Sequence, residues 1–123
     1  MHMKYFKENK YNAIATTIDG IRFSSMAEAE LYQLLKADEK TLHIDAHVPI
    51  TLPGGLRFNI DFILWKKIDK SESSDVVSGV VEAIECKGFE TEVFKKLRRL
   101  FDSTHPLSPL IVFRKEGNKW VNL

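Results

Sequence analysis

Residues 80–88 read Val80-Val81-Glu82-Ala83-Ile84-Glu85-Cys86-Lys87-Gly88. They close a run of β-formers that begins at Val76-Val77, and Gly88 ends it. In a strand successive side chains point to opposite faces, so Glu85 and Lys87 share one face and Cys86 takes the other. A carboxylate and an ammonium at a strand end can be no more than a surface ion pair. What makes them a candidate site is a second strand with an acid at a matching place.

That second strand spans residues 57–68. Phe58, Ile60, Phe62 and Leu64 alternate with Arg57, Asn59 and Asp61. The pattern fades at Ile68, and Asp69-Lys70-Ser71-Glu72-Ser73-Ser74-Asp75 is a polar loop tip. An antiparallel hairpin of 57–68 and 76–87 centred on Ser73 sets Asp61 opposite Glu85. Directly paired residues hold their Cβ atoms ~4.5–5.5 Å apart, where two carboxylates repel unless a cation lies between them. A register shifted by two residues keeps the face and makes the pair diagonal.

Working outward, Ser25-Met26-Ala27-Glu28 reads as a capping box opening a helix that runs to about residue 37. On the helical wheel Glu28 falls in the apolar arc with Leu31 and Leu35, and Glu30 lies at its border. A core-facing carboxylate needs a partner. Glu28 is therefore an N3 capping residue, a site residue, or both. Ile18-Asp19-Gly20-Ile21 predicts a short hairpin over 14–23, because Asp-Gly tolerates the positive φ angles of a type I′ turn. From 42 to 52 every even residue is apolar, which predicts a half-buried strand, and Pro53-Gly54-Gly55 turns the chain.

A second helix is expected over 90–103. Val93, Phe94, Leu97, Leu100 and Phe101 form its apolar stripe, and Lys95, Lys96, Arg98 and Arg99 cover the rest. Strands at 110–113 and 120–123 follow, separated by Glu116-Gly117-Asn118. Residues 1–13, with Lys4, Lys7 and Lys10, read as a loose basic arm. The order is β-hairpin, α, β, β, β, α, β, β. It predicts an α/β or α+β fold, one mixed sheet flanked by two main helices in a single domain over 1–123.

Composition narrows the function. With 44% hydrophobic and 28% charged residues the chain has a globular profile, and at 123 residues it is long enough for a real core. One cysteine leaves no disulfide framework and no cysteine-rich zinc site, which fits a reducing compartment. No stretch reads as a signal peptide or a membrane span. A net charge of +1 leaves nucleic-acid binding to local clustering.

Three carboxylates and a lysine suit Mg²⁺ or Mn²⁺, which prefer hard oxygen ligands. Such an ion polarises a phosphoryl oxygen and acidifies a bound water, and a nearby lysine orients that water or stabilises phosphate charge. Phosphodiester hydrolysis uses this set.

Asp61, then Glu85-Cys86-Lys87, with an earlier helical Glu28, resembles the PD-(D/E)xK nuclease superfamily. Lys10-Tyr11-Asn12-Ala13, Asp19-Gly20-Ile21-Arg22-Phe23-Ser24-Ser25, Glu28-Ala29, Asp61-Phe62 and Glu85-Cys86-Lys87-Gly88-Phe89 resemble more closely a small phage and prophage family. Members of that family are usually described only as domains of unknown function with suspected endonuclease activity. The resemblance implies a restriction-endonuclease-like core. It implies metal binding by Asp61, Glu85 and the main-chain carbonyl of Cys86, with Glu28 as a further ligand or water-holder and Lys87 as the catalytic lysine. It also implies an Mg²⁺-dependent DNA endonuclease, with Mn²⁺ able to substitute, working in the cytoplasm of a bacterial host. Duplex or branched DNA is the expected substrate, as in phage recombination. Ile60 stands where the name motif has proline.

Other features point less directly to chemistry. His43, Asp45 and His47 share a strand face, but ~13 Å separates the outer two, so a solvated polar face is the better reading than a shared ion. A histidine of that face could still contact a scissile phosphate. Cys86 reads as a buried thiol, and Trp65 and Trp120 as core or interface anchors. The basic face of the second helix is either a phosphate-contacting surface or a solvated one. A homodimer is expected, because cutting two strands is simplest with two symmetric sites. The alternative to an enzyme is a non-catalytic module that binds nucleic acid or a host protein on the same fold.

Overall fold

The computed structural model describes residues 6–8, 14–68 and 79–123. Eight strands and two helices follow in the order β1 (Phe6–Glu8), β2 (Ile14–Ile18), β3 (Ile21–Phe23), α1 (Met26–Ala37), β4 (Thr41–Leu52), β5 (Leu56–Lys67), β6 (Gly79–Cys86), α2 (Glu92–Thr104), β7 (Ile111–Glu116) and β8 (Lys119–Asn122). The fold is α+β. A mixed five-stranded sheet has the order β4-β5-β6-β7-β8, and β6 and β7 are its parallel pair. The predicted N-terminal hairpin does not join it. It forms a separate antiparallel sheet, β1-β2-β3. Its third strand comes from the stretch read as a loose arm, since Phe6 pairs with Thr16 and Glu8 with Ile14.

Local signals explain most boundaries. Asp19 and Gly20 have φ of 53° and 77°, as a type I′ turn requires. Ser25 caps α1 by accepting the Glu28 N–H at 3.2 Å, and Thr91 caps α2 by accepting the Phe94 N–H at 3.1 Å. Asp19 also binds α1, accepting from the Tyr32 hydroxyl at 2.8 Å and pairing with Lys36. Gly54 and Gly55 take the positive φ values of the β4–β5 turn.

The sheet separates two cores. On one face, Ala29, Leu31 and Tyr32 of α1 pack with Phe23, Phe62, Leu64 and Ile84. On the other, Phe94 and Phe101 of α2 pack with Phe58, Ile60, Ala83 and Val112. Both α2 rings meet Phe58 edge-on, with centroids 6.2 Å away. Burying one such ring contributes about 2–3 kcal/mol. Val93, assigned to the apolar stripe, is exposed. The helix begins at Glu92, and its buried seam runs from Phe94 to Phe101.

The β5–β6 register is the predicted one: Phe62 pairs with Ile84 and Ile63 with Ala83. The tip of that hairpin, and Val76-Val77 with it, lies outside the described residues. The alternation on β4 and β5 hides one event. Ile44, Ala46, Phe62 and Leu64 belong to the α1 core, whereas Ile50, Leu52, Phe58 and Ile60 belong to the α2 core. Both strands change face together, around His47 and Asp61. His47 has φ 55°, and the ladder skips from the Ala46–Phe62 pair to the Val48–Ile60 pair.

Candidate functional site

The site forms where the β5–β6 ladder ends. Beyond the Phe62–Ile84 pair, side chains take over the strand bonding. The Asp61 N–H donates to Glu85 Oε1 at 2.7 Å, and the Cys86 N–H donates to Asp61 Oδ2 at 2.8 Å. Each acid therefore binds the other's strand through one oxygen. Glu85 is 1% exposed, so its charge has almost no water to stabilise it.

A buried acid beside a half-buried one resists ionisation. Burial raises the Glu85 pKa from 4.5 to about 8, and the neighbouring Asp61 adds to the effect. Burial likewise raises Asp61 from 3.8 to about 6, with the Glu28 charge adding to it. The Cys86 N–H, Lys87 and His47 pull Asp61 back. Burial also pushes the Cys86 thiol up to about 12, and the thiol packs against the α1 core. It is a half-buried sulfur packed against that core, and the raised pKa disfavours the thiolate that a nucleophile needs.

Lys87 shares the Glu85 side of the sheet. Its Nζ lies 3.6 Å from Glu85 Oε2 and 4.8 Å from the centre of the Phe94 ring. The Lys87 N–H donates to the Phe113 carbonyl at 2.9 Å, which anchors the residue just past the strand. Glu28 comes from the other side. Its Oε1 accepts from the Ser24 hydroxyl at 2.9 Å, and its Oε2 lies 3.8 Å from His47 Nε2. The capping and site readings of Glu28 are thus compatible: its N–H serves the cap, and its carboxylate lies near enough for its charge to raise the Asp61 pKa.

The structure brings Glu28, Asp61, Glu85 and Lys87 together and adds His47. It splits the sequence-defined His43-Asp45-His47 face. His43 Nε2 and Asp45 Oδ1 pair at 2.8 Å in the open, and Trp65 Nε1 donates to Asp45 Oδ2 at 3.4 Å. Trp65 is exposed and belongs to neither core, so of its two expected roles, core or interface anchor, the core one does not hold, while Trp120 is half-buried against the α1 core. The basic face of α2 is divided too. Arg98 donates to Glu90 Oε1 at 2.9 Å and to the Leu123 oxygen at 2.6 Å, so it ties the helix to the chain end. Lys95 pairs with Glu92 at 3.3 Å. Lys96 and Arg99 are exposed.

Among the described residues no three His, Cys, Asp or Glu side chains form a ready-made metal cage. The donor set still fits a hard cation. Two adjacent carboxylates, each with one oxygen outside the strand bonds, and a neighbouring main-chain carbonyl leave the remaining positions to water, as Mg²⁺ prefers. A cation there would also offset the burial and the neighbouring carboxylate charges that raise both pKa values. Among the described residues no helix is long and apolar enough to cross a membrane. No family model matches the chain, and neither does any curated protein or solved structure.

Proposed function

We propose that the protein is a metal-dependent nuclease that hydrolyses phosphodiester bonds in DNA on a restriction-endonuclease-like core. The observation that carries this reading is the Asp61–Glu85 pair at the end of the ladder, Glu85 buried and Asp61 half-buried, with Lys87 Nζ 3.6 Å from Glu85. A structural ion pair alone gives no reason to set a second acid against the one lysine, because two carboxylates then share a single full counter-charge. Asp61, Glu85 and the Cys86 carbonyl would hold Mg²⁺ or Mn²⁺, with Glu28 as a further ligand or water-holder. When bound, the ion supplies Lewis-acid polarisation of the phosphoryl group and a more acidic water.

Lys87 supplies the positive charge that a pentacoordinate phosphorus develops a need for, and the Phe94 ring beneath it limits its motion. Lys96 and Arg99 are the α2 groups free to contact phosphates. Two copies of the chain would set two clefts on a duplex or branched substrate, which light scattering with and without DNA checks.

The deciding experiment is a nicking assay on plasmid, linear, branched and single-stranded DNA with Mg²⁺, Mn²⁺ or EDTA. Cleavage that needs the metal and is lost in Glu85→Ala supports the reading. Wild-type protein that binds Mn²⁺ but cuts no DNA or RNA replaces it with the non-catalytic binding module.

A further inference from the structure

The acid cluster poses a problem for its own substrate. Once ionised around a cation, Asp61, Glu85 and Glu28 present three carboxylates to an anionic phosphodiester, so the site needs donors aimed at the phosphate. Lys87 is one, on the side of β6 and α2. The opposite flank of Asp61 is β4, and the residue facing Asp61 there is His47, at the rung the ladder skips between the Ala46–Phe62 and Val48–Ile60 pairs.

His47 is held in an uncommon way. Its φ of 55° is left-handed, although it stands inside a strand and is not glycine. That conformation costs a residue with a side chain about 1–2 kcal/mol, a cost glycine avoids. The backbone twist at this rung therefore does not by itself call for an imidazole. The ring it carries stacks obliquely on Phe23, centroid to centroid 5.6 Å, which fixes its plane. Its Nε2 lies 3.8 Å from Glu28 Oε2, beyond hydrogen-bond range, and the side chain is 44% exposed. Among the described residues this imidazole has no hydrogen-bond partner, whereas His43 is engaged with Asp45 at 2.8 Å.

We propose that His47 is a substrate-contacting residue that donates an imidazole N–H to a non-bridging oxygen of the phosphodiester bound across Asp61. Together with Lys87 it brackets the acid pair from both sides of the sheet. The contact rests on the proposed reading of the site as one for phosphodiesters. It needs only one ring N–H, which imidazole carries in either charge state. Strained backbone at a functional cleft, held by packing on both sides, is the setting in which such contacts occur.

The test uses His47→Gly, His47→Asn and His47→Gln in the full chain, with two readouts. One is cleavage in Mg²⁺ or Mn²⁺. The other is binding of a fluorescent oligonucleotide in EDTA, where no cleavage occurs. Glycine relieves the backbone and should melt no lower than wild type. It should nonetheless lose about tenfold or more in cleavage and bind more weakly, as for loss of one hydrogen bond to a charged group. Asparagine accepts the left-handed conformation and carries an N–H, so it should recover part of the loss. Glutamine supplies the same N–H at greater reach and strains the backbone as His47 does. A glycine variant that binds and cuts like wild type overturns the contact and leaves the nuclease reading standing. Wild-type protein that binds DNA without cutting it, while His47→Gly weakens that binding, keeps the contact and removes the nuclease. Wild-type protein that neither binds nor cuts removes both.

Discussion

Asp45 and Asp61 lie on neighbouring strands, two rungs apart: Asp45 pairs with Ile63, and Asp61 is the residue two before it. Asp45 stands in solvent, and a hydrogen bond from His43 holds its pKa below the usual value. Asp61 is half-buried where the two cores meet along β5, and burial lifts it to about 6. The residue type is the same, so what differs is the place: Asp45 sits on a regular rung in solvent, Asp61 at the rung where both strands change face. Asp45 satisfies its charge with a histidine, an indole and water. Asp61 has a backbone N–H and two neighbouring carboxylates, and the positive charges of Lys87 and His47 offset its burial only in part. An acid of the first kind is a surface feature. One of the second kind has chemistry to offer, because it gains from any cation that arrives.

The largest expected contrast is catalytic. Asp61→Ala, Glu85→Ala and Lys87→Ala should each reduce metal-dependent cleavage by about a hundredfold or more, ~3 kcal/mol in the barrier. Asp45→Ala should leave the rate within about twofold. Equal losses at Asp45 and Asp61 in the same kinetic assay would break the distinction between them.

Metal addition comes next. At pH 8, Mg²⁺ or Mn²⁺ at a hundred times its Kd should stabilise wild type by ~2.7 kcal/mol, read as a rise in Tm that EDTA reverses. Glu85→Gln should abolish that rise, and Asp45→Asn should preserve it.

The pH dependence without metal is smaller and has opposite signs at the two acids. Asp61 and Glu85 have folded pKa values above their unfolded ones. Their contribution is therefore present below about pH 4 and is lost as pH rises toward 8. Tm of the metal-free protein should fall across that window, and Glu85→Gln should flatten the fall, gaining about 1–2 kcal/mol at pH 8. Asp45 is depressed, so its contribution is present above the ordinary aspartate range and is lost only in acid. A metal-free Tm that holds constant from pH 5 to 8 would contradict the burial of the pair.

The smallest effects concern α2. Lys96→Glu and Arg99→Glu should each reduce the salt slope of DNA binding by ~1. Arg98→Ala should instead lower stability by about 1–2 kcal/mol, because it leaves Glu90 without its partner. Titrating the three variants with salt and then melting them separates the two kinds of arginine.

What could be read from the chain was local. The Asp19-Gly20 turn, the Ser25 cap and the alternation that sets the β5–β6 register each depend on residues within one hairpin or one helical turn. Glu28 could be placed on the core side of its helix for the same reason. What escaped was decided across the fold. Arg98 has partners at Glu90 and Leu123, and no helical wheel shows the second. Phe6-Lys7-Glu8 is too short and too polar to announce a strand, and it becomes one because Ile14–Thr16 lies alongside. The change of face at His47 and Asp61 left the even-numbered apolar pattern intact, because both strands turn over at the same rung. No glycine marks the place, so His47 looked like one more residue of a polar face.

The exchange of bonds at the end of the ladder has a practical consequence. The amide hydrogens of Asp61 and Cys86 are secured by the two carboxylates. Any ligand that draws those carboxylates away loosens two main-chain protons, and any that locks them in place slows their trade with solvent. Hydrogen–deuterium exchange at these two amides, against Phe62 and Ile84 one rung inside as an internal standard, would thus serve as a built-in gauge of occupancy. It needs neither label nor turnover.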